Sequence, residues 1–444
     1  MLQFCTFTLM SFIYNCIVRI FDFFLLIIAL FHKKIKLFVD GRKQSFDKLL
    51  VFKKKDKIIW FHAASLGEFE QGRPIIESVK KEHPTYKILV TFFSPSGYEI
   101  RKDYELADVV CYLPIDSKSN VRKFLEIVNP KMALFIKYEF WPNYLNGLKK
   151  NNIPTVLVSG IFRKNQIFFK PFGAFMRNSL GAFHHFFVQD EISQKLLKSI
   201  NFENITISGD TRFDRVYEIL QQDNSLDFIT KFKNNKYTIV AGSTWKEDEE
   251  LLVNYINNSS SENEKFIIAP HNINVDDIQK LKKAISKKVV LYSEYINNFG
   301  LSGVETSVDK NLSTRLEETK KELKNYDIFI VDTIGILTKI YSVADVAYVG
   351  GGLTKNGVHN VLEPATFGVP IVIGTEFEKY NEVVDLVAQK GCISITNQQE
   401  FSSIFTRLKN DEDFRKSTGK VNKEYIEYNV GATEKTMNYL KTQL

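Results

Sequence analysis

Cysteine is scarce in this 444-residue sequence, which contains only four. Cys5, Cys16, Cys111 and Cys392 are scattered and form no C-x-x-C pair, the spacing of many zinc sites and redox motifs. They are also too few for the disulfide framework of a small secreted protein. The sequence therefore favours a globular protein of a reducing compartment, without structural zinc or disulfide bonds.

The charged residues of positions 61–444 sum to a net charge of zero. The formal charge of +7 resides in residues 1–60, where eleven Lys and Arg outnumber four Asp by seven. A protein that binds nucleic acid is expected to carry its basic surface on the folded domain. Nucleic acid is therefore not expected as a partner.

The N-terminal region combines this positive charge with an apolar run at 4–31, followed by a basic segment at 32–36. The run lacks a basic start and a small-residue cleavage pattern, so a cleaved signal peptide is not expected. Arg19 and Asp22 lie in its middle, and each would cost roughly 2.5–3.5 kcal/mol at the centre of a bilayer. We therefore expect a membrane-anchoring helix, interfacial or tilted, with its basic flank on the cytoplasmic side. The alternative is a hydrophobic helix packed on the protein's own domain.

Two series of short apolar runs, separated by helix-length segments, make up the rest of the chain. This alternation predicts two doubly wound parallel sheets. Polar residues at 215–236 separate the two series, and a second polar stretch at 296–324 is predicted to be an excursion. The expected strands are 57–61, 86–92, 109–113, 132–137, 155–159 and 186–188, then 238–241, 265–269, 289–291, 328–331, 346–349 and 370–374.

The first of these strands runs directly into Ser65-Leu-Gly-Glu68. Ser65 and Glu68 have the spacing of a capping box at a helix N-terminus. Alternatively, Glu68 points into the crevice at the carboxyl ends of the strands, where open α/β sheets bind ligands. Proline is comfortable only in the first turn of a helix, so Pro74 predicts a helix over 73–82. Glu68 would then lie in a loop, which favours the functional interpretation.

A second carboxylate, Glu139, also follows a predicted strand, and Trp141-Pro142 is expected to begin the next helix. Glu68 and Glu139 would therefore meet at one edge of the first sheet. One of them could take a proton from an attacking hydroxyl, as a general base does, while the other orients it.

In the second series, a buried strand ends in a three-glycine turn that includes Gly351 and Gly352. Glycines let backbone amides approach a phosphate, and a helix N-terminus supplies further N–H groups. His359, Asn360 and Glu363 follow at the expected start of a helix. Asn360 and Glu363 also fit a capping box, and His359 an ordinary loop histidine, so a tight β–α turn is the alternative.

Another strand of this series ends at Gly242-Ser243-Thr244. These three residues are candidate phosphate contacts. Thr244 and Glu247 fit a capping box, which would explain the acidic residues that follow.

Phenylalanine is concentrated at 161–187, where eight are interleaved with four basic residues. Core packing and an amphipathic face against anionic lipid explain this pattern equally well. His184 and His185 are expected to be packed side chains.

Several segments, taken in order, resemble motifs of one family, the 3-deoxy-D-manno-octulosonic acid (Kdo) transferases of lipopolysaccharide assembly. No single segment is specific, but the ordered set is. The segments are HAASLGEFEQGRP, YLPID, YEFWPN, SGDTRFD, AGSTWKEDEE and ADVAYVGGGLTKNGVHNVLEPA.

This resemblance implies an α/β protein of the GT-B fold, with two Rossmann-like domains facing across a cleft and an N-terminal anchor helix. It implies that the protein works on the cytoplasmic face of the cell inner membrane. The implied divisions are an anchor with its basic flank at 1–36, an acceptor-binding domain at 37–220, a CMP-sugar-binding domain at 221–425 and a C-terminal helix at 426–444.

The resemblance also implies inverting transfer of Kdo from CMP-Kdo to a lipid A precursor, lipid IVA, without a cofactor or metal. Glu68 would be the general base and Glu139 would support the acceptor side. The residues implied in nucleotide binding are Gly242, Ser243, Thr244, His271, Gly351, Gly352, His359, Asn360 and Glu363.

The sequence departs from the family pattern at several motif positions. Lys137 stands where the family has its first acid before the W-P motif, and Ile336 replaces another acid. His271 stands in place of an arginine, whose role it is expected to take over. The departures at His271 and Ile336 affect the predicted nucleotide and leaving-group contacts but leave the predicted base in place.

Two other functions remain open from the residues. One is another GT-B enzyme, a UDP-sugar transferase or epimerase, and the other is a non-catalytic scaffold that binds a sugar nucleotide or lipid.

Overall fold

The computed structural model describes residues 2–299 and 323–444, with side chains from 9 to 297 and from 323 onward. The chain divides into two compact units. The first comprises Met1–Arg215 together with Asn429–Leu444, and the second is Val216–Tyr428. Most of the polar excursion predicted at 296–324 lies outside the described residues.

The first unit is built on a parallel sheet of seven strands. Its strands are β1 (Ile58–Ala63), β2 (Lys87–Phe92), β3 (Val109–Tyr112), β4 (Met132–Ile136), β5 (Thr155–Gly160), β6 (His185–Val188) and β7 (Ile205–Ile207). Its helices are α1 (Leu2–Ile28), α2 (Lys33–Lys43), α3 (Ser45–Leu49), α4 (Leu66–Glu82), α5 (Pro95–Arg101), α6 (Lys118–Val128), α7 (Pro142–Lys150), α8 (Ala174–Leu180), α9 (Glu191–Lys198) and α10 (Thr211–Tyr217). The last helix of the chain returns to this unit, because Met437 and Leu440 pack in the same core cluster as Ile75.

The second unit has its own parallel sheet of seven strands. Its strands are β8 (Tyr237–Thr244), β9 (Glu264–Pro270), β10 (Val289–Leu291), β11 (Ile328–Ile330), β12 (Val346–Val349), β13 (Ile371–Ile373) and β14 (Cys392–Ser394). The helices after α10 are α11 (Asp227–Lys233), α12 (Lys246–Asn258), α13 (Val275–Ala284), α14 (Tyr292–Phe299), α15 (Leu337–Ile340), α16 (Leu362–Thr366), α17 (Asn381–Ala388), α18 (Gln398–Asn410), α19 (Glu412–Asn429) and α20 (Ala432–Leu440).

In each sheet the strand order changes direction next to the strand that comes first in the chain, which is β1 in the first sheet and β8 in the second. The orders are β3-β2-β1-β4-β5-β6-β7 and β10-β11-β9-β8-β12-β13-β14. The chain therefore winds in opposite directions on the two sides of β1 and of β8, which creates a crevice at the strands' carboxyl ends. These two doubly wound sheets confirm the predicted α/β class and the Rossmann-like units of the GT-B fold.

All twelve predicted strands are present, with ends within three residues of the expected positions. The sequence missed β7 and β14, which are three residues long and lie at sheet edges. An apolar run of three residues carries too little periodicity to distinguish a strand from a loop.

The predicted start of the helix after β1 was wrong. Helix α4 begins at Leu66 rather than 73, and Pro74 lies inside it. Ser65 has extended dihedral angles (φ −137°, ψ 175°), and its carbonyl accepts the first helical bond from the Phe69 N–H at 3.0 Å. Glu68 is therefore a first-turn helical residue, and the loop predicted around it does not exist.

The phenylalanines of 161–187 form core rather than a lipid-facing surface. Among them, Phe172 is 69% exposed, but most of the others are buried. Four belong to one core cluster: Phe162, Phe168, Phe183 and Phe186.

Helix α1 exposes a long apolar surface. Within the described residues, Leu9–Ile28 is long and apolar enough to cross a membrane, and only 11% of that stretch is buried. Tyr14 donates to Asp116 Oδ2 at 2.7 Å, which ties the helix to the first unit. The exposed apolar face favours membrane association over the alternative of a helix packed on its own domain.

Candidate functional site

The first unit places Glu68 at the carboxyl end of β1, beside the point where the sheet reverses. Glu68 is only 9% exposed, and its Oε2 accepts the Ala64 N–H at 2.5 Å. Burial, and then the negative charge of Glu139, raises the pKa of Glu68 to about 7, against smaller opposing effects of the Ala64 N–H and the Lys137 charge. The side chain of Ser65 makes no capping bond, so only the carboxylate half of the expected capping pair is present. The Glu68 carboxylate thus accepts a backbone hydrogen bond and has a pKa near neutrality.

Glu139 follows β4, the strand that pairs with β1 across the reversal point. Its Oε2 lies 3.0 Å from His62 Nε2 and accepts the Trp141 Nε1–H at 2.8 Å. The structure therefore brings the two predicted carboxylates to the same edge of the sheet, close enough that Glu139 shifts the pKa of Glu68.

His62 links Glu139 to the interior of the sheet. The imidazole is fully buried, and its Nδ1 lies 3.1 Å from the carbonyl oxygen of Thr91 on β2. Nδ1 also lies 2.9 Å from the Thr91 hydroxyl, and Nε2 lies 3.0 Å from both Glu139 Oε2 and Trp141 Nε1, whose N–H donates to it. A ring held in this way fixes the position of the Glu139 carboxylate.

The sequence did not identify His62, Trp141 or Lys137 as parts of this site. His62 and Trp141 do lie inside the HAASLGE and YEFWPN motifs, which was the available signal. Lys137 adopts a left-handed conformation (φ 67°) directly after β4. The positive charge of Lys137 lowers the pKa of Glu68. The replacement of the family's acid by Lys137 therefore changes the electrostatic environment of the predicted base.

In the second unit, the predicted glycine turns meet at the reversal point between β8 and β12. Gly242 on β8 pairs with Val349, the last residue of β12. Gly351 has φ 93°, and a Cβ there would lie 2.5 Å from the carbonyl oxygen of Gly357. A Cβ on Gly352 would lie 2.8 Å from the Gly374 nitrogen. Close backbone packing therefore requires both glycines whether or not a phosphate binds.

Asp248 joins the two turns, and the sequence did not predict this role. It is fully buried and accepts the Trp245 N–H at 2.8 Å, the Gly351 N–H at 2.9 Å and the Tyr348 hydroxyl at 2.6 Å. The predicted capping box of Thr244 and Glu247 was wrong, because β8 continues through Thr244 and the cap moves to the next residue.

Thr244 is instead bonded to the helix that follows. Its hydroxyl donates to Glu249 Oε1 at 3.1 Å, and the side chain is buried. Ser243 has a left-handed conformation (φ 54°) where the pairing of β8 with β9 is irregular. The predicted phosphate contacts therefore lie in a bent strand end with a constrained backbone.

Three rings stack beside these turns and include both predicted histidines. Trp245 and His271 have centroids 4.7 Å apart at 20°, and His271 and His359 are 4.3 Å apart at 22°. Burial, and then the charge of His271, lowers the pKa of His359 to about 4. The neutral ring accepts the Trp245 Nε1–H at Nε2, 2.8 Å away, so its proton resides on Nδ1. Nδ1 of His359 is therefore a hydrogen-bond donor at neutral pH.

Asn360 and Glu363 are paired, but not as a capping box. Asn360 Oδ1 accepts the Leu362 N–H at 3.1 Å, and its Nδ2 donates to Glu363 Oε1 at 3.0 Å. The other oxygen of Glu363 accepts from Thr338 at 2.6 Å. Helix α16 starts only at Leu362, so this pair shapes the loop before the helix.

A cavity of about 590 Å³ opens next to Thr244 and Trp245, between α12 and α13. Pro270 and Asn272, at the end of β9, also line it. Its volume lies within the range of pockets that bind small ligands.

Comparison with known proteins relates the chain to one family of transferases. Residues 40–215 match the family model described as 3-deoxy-D-manno-octulosonic-acid transferase. A 3-deoxy-D-manno-octulosonic acid transferase of Haemophilus influenzae is 24% identical over 87% of this chain and 87% of its own length. A bifunctional glycosyltransferase/methyltransferase of Fusobacterium nucleatum is 25% identical over 86% of this chain, which spans only 57% of that longer protein.

Among solved structures, the UDP-GlcNAc 2-epimerase of Neisseria meningitidis aligns with 87% of this chain and all of its own, with a TM-score of 0.55. The two are 12% identical, so this likeness concerns the fold alone.

Proposed function

We propose that this chain, whose residues 40–215 match the Kdo transferase family model, transfers Kdo from CMP-Kdo to a lipid A precursor, lipid IVA, with inversion at the anomeric carbon. Glu68 is the general base of this reaction and Glu139 supports the acceptor side. The family relationship supports the class of reaction, while the donor, the acceptor and the stereochemistry belong to the proposal.

The observation that carries the proposal is the buried carboxylate of Glu68 with a pKa of about 7. A general base is most effective when its pKa is near the working pH, because it is then both deprotonated and basic enough. In the proposed step, Glu68 accepts the proton of the acceptor hydroxyl while the hydroxyl oxygen forms a bond to the anomeric carbon. The bond from that carbon to the phosphate oxygen breaks, and CMP leaves. A single displacement of this kind needs one base and no covalent intermediate.

The second unit binds the cytidine nucleotide in this proposal. Gly242, Ser243 and Thr244 contact the nucleotide in this proposal, and Thr244 also lines the cavity beside α12, which has room for a nucleoside. His359 supplies a hydrogen-bond donor at Nδ1, which suits a phosphate oxygen. We further propose that backbone N–H groups at these turns meet the phosphate charge and that transfer needs no added metal.

The proposed location is the cytoplasmic face of the inner membrane, where the exposed apolar surface of α1 contacts the bilayer. A lipid acceptor resides in that bilayer, so an anchored enzyme meets its substrate without extracting it into water. The basic segment that follows α1 is consistent with this orientation.

The test is a donor panel with the full-length, detergent-solubilised protein and a tetraacylated lipid A precursor. We expect the lipid to gain one or more Kdo masses with CMP-Kdo and nothing with UDP-GlcNAc. Consumption of UDP-GlcNAc would instead identify a UDP-sugar enzyme. Affinity for CMP without turnover of any donor would identify a non-catalytic binding protein.

A further inference from the structure

A second cavity of about 930 Å³ lies in the first unit, away from Glu68 and Glu139. Ser11 of α1 forms part of its wall, and the remainder comes from α6, α7 and the loop before β1. We call it the basic groove. Its charged lining residues are Lys53, Lys54, Asp56, Lys118, Arg122, Glu126 and Lys150.

The basic groove carries an excess of positive charge that is not neutralised by the protein. Five cations line it against two carboxylates. All five cations are exposed, and within the described residues none of them makes an ion pair. Elsewhere on the first unit, lysines and arginines such as Lys80, Lys87 and Arg101 do pair with carboxylates. The groove therefore attracts an anion from outside the protein.

Exposed apolar side chains lie close in sequence to residues that line the basic groove. Leu50 and Val51 are 67% and 62% exposed and come just before Lys53 in the chain. On α1, Phe12 follows Ser11 and is 66% exposed. Apolar side chains that enter the acyl region, next to cations that stay at headgroup level, are the pattern by which proteins bind anionic lipid surfaces.

We propose that the basic groove binds the phosphate headgroup of an anionic membrane lipid. Lys118, Arg122 and Lys150 surround the phosphate, and the amide of Asn146, which also lines the groove, offers a further donor. The half-buried side chain of Ile127 in the lining contacts the glycerol and the upper acyl carbons. The site would hold the first unit against the bilayer at a fixed orientation, and it does not depend on the identity of the transferred sugar.

The test measures saturable binding of short-chain lipids, below their micelle concentration, to the full-length protein in detergent. The probes are dihexanoyl-phosphatidylglycerol, dihexanoyl-phosphatidylcholine and inorganic phosphate, followed by calorimetry. We expect phosphatidylglycerol to bind with one lipid per chain and phosphatidylcholine not to bind. The triple variant Lys118→Gln/Arg122→Gln/Lys150→Gln should weaken that binding roughly a hundredfold, because it removes three cations and each cation near a lipid surface contributes roughly fivefold.

Two further variants distinguish a specific lipid-binding site from non-specific electrostatic attraction. Asn146→Glu adds a negative charge inside the groove without removing a cation, and it should also weaken binding. The control Lys283→Gln/Lys288→Gln/Lys379→Gln removes three exposed lysines from the second unit and should bind as the unchanged protein does. Because all the substituted side chains are at least partly exposed, unfolding is not expected, and circular dichroism checks it.

Three results would overturn the proposal. The first is the absence of saturable phosphatidylglycerol binding, and the second is equal binding by the groove variant and the control. The third is binding of inorganic phosphate as tight as that of phosphatidylglycerol, which would make the groove a site for free anions.

Discussion

The raised pKa of Glu68 predicts a steep dependence of kcat/KM on pH near neutrality. A base with a pKa of about 7 is about one-tenth deprotonated at pH 6 and about nine-tenths deprotonated at pH 8. The rate should therefore rise about tenfold between these values and then level off. An ordinary glutamate, with a pKa near 4.3, would be fully deprotonated throughout this range and give no change.

The variant Glu139→Gln tests the cause of the raised pKa of Glu68. The negative charge of Glu139 is the second-largest cause of the raised pKa of Glu68, after burial. Removing that charge should lower the pKa of Glu68, so the rising limb of the profile should move to lower pH even if the plateau falls. A matched control is Glu77→Gln on the same helix, because Glu77 pairs with Arg73 at the surface rather than facing Glu68.

The assay is initial-rate transfer at subsaturating CMP-Kdo between pH 5.5 and 8.5. A flat profile for the unchanged protein would refute the assignment of Glu68 as the titrating base. A profile that shifts as much in Glu77→Gln as in Glu139→Gln would refute the electrostatic coupling between the two carboxylates.

Three further substitutions test the contacts around the two sites. His62→Gln should lower kcat by about 10–100-fold with little change in KM, because the carboxylate of Glu139 loses the ring that positions it; an unchanged kcat would contradict this. Trp245→Phe keeps the ring but removes the N–H that holds the proton of His359 on Nδ1, so calorimetry should show CMP binding weakened about 2–10-fold; unaltered affinity would argue against a donor role for that atom. Asp248→Ala leaves three buried donors without an acceptor and should lower the melting temperature by about 10 °C in calorimetry, from a loss of about 3 kcal/mol; a shift of less than two degrees would mean that water replaces the carboxylate.

The positions of the candidate residues could be predicted because strand ends are encoded locally. Alternating apolar runs locate the ends of β1, β4, β8 and β12, and parallel strands place those ends along one edge of a sheet. Glu68 and Glu139 were accordingly expected together, and the structure places them so.

The contacts of these residues could not be predicted, because they join segments distant in sequence. The bond between His62 and Glu139 spans 77 positions, and that between Trp245 and His359 spans 114. Local patterns also gave wrong predictions where tertiary packing overrode them. Pro74 predicted a helix start, but the chain continues the helix through it. At β8 the strand runs further than its apolar pattern, which moved the helix cap and gave Asp248 the role expected of Glu247.

The role of Glu68 as the general base is tested by comparing the unchanged protein with Glu68→Gln in a single-turnover reaction with CMP-Kdo and the lipid A precursor. We expect the unchanged protein to add Kdo to the lipid, which is detected as an increase in product mass. The variant should add none while binding CMP with the same affinity, because the proposed nucleotide contacts lie in the other unit. Transfer by the variant at a rate near that of the unchanged protein would contradict the claim that Glu68 is the base.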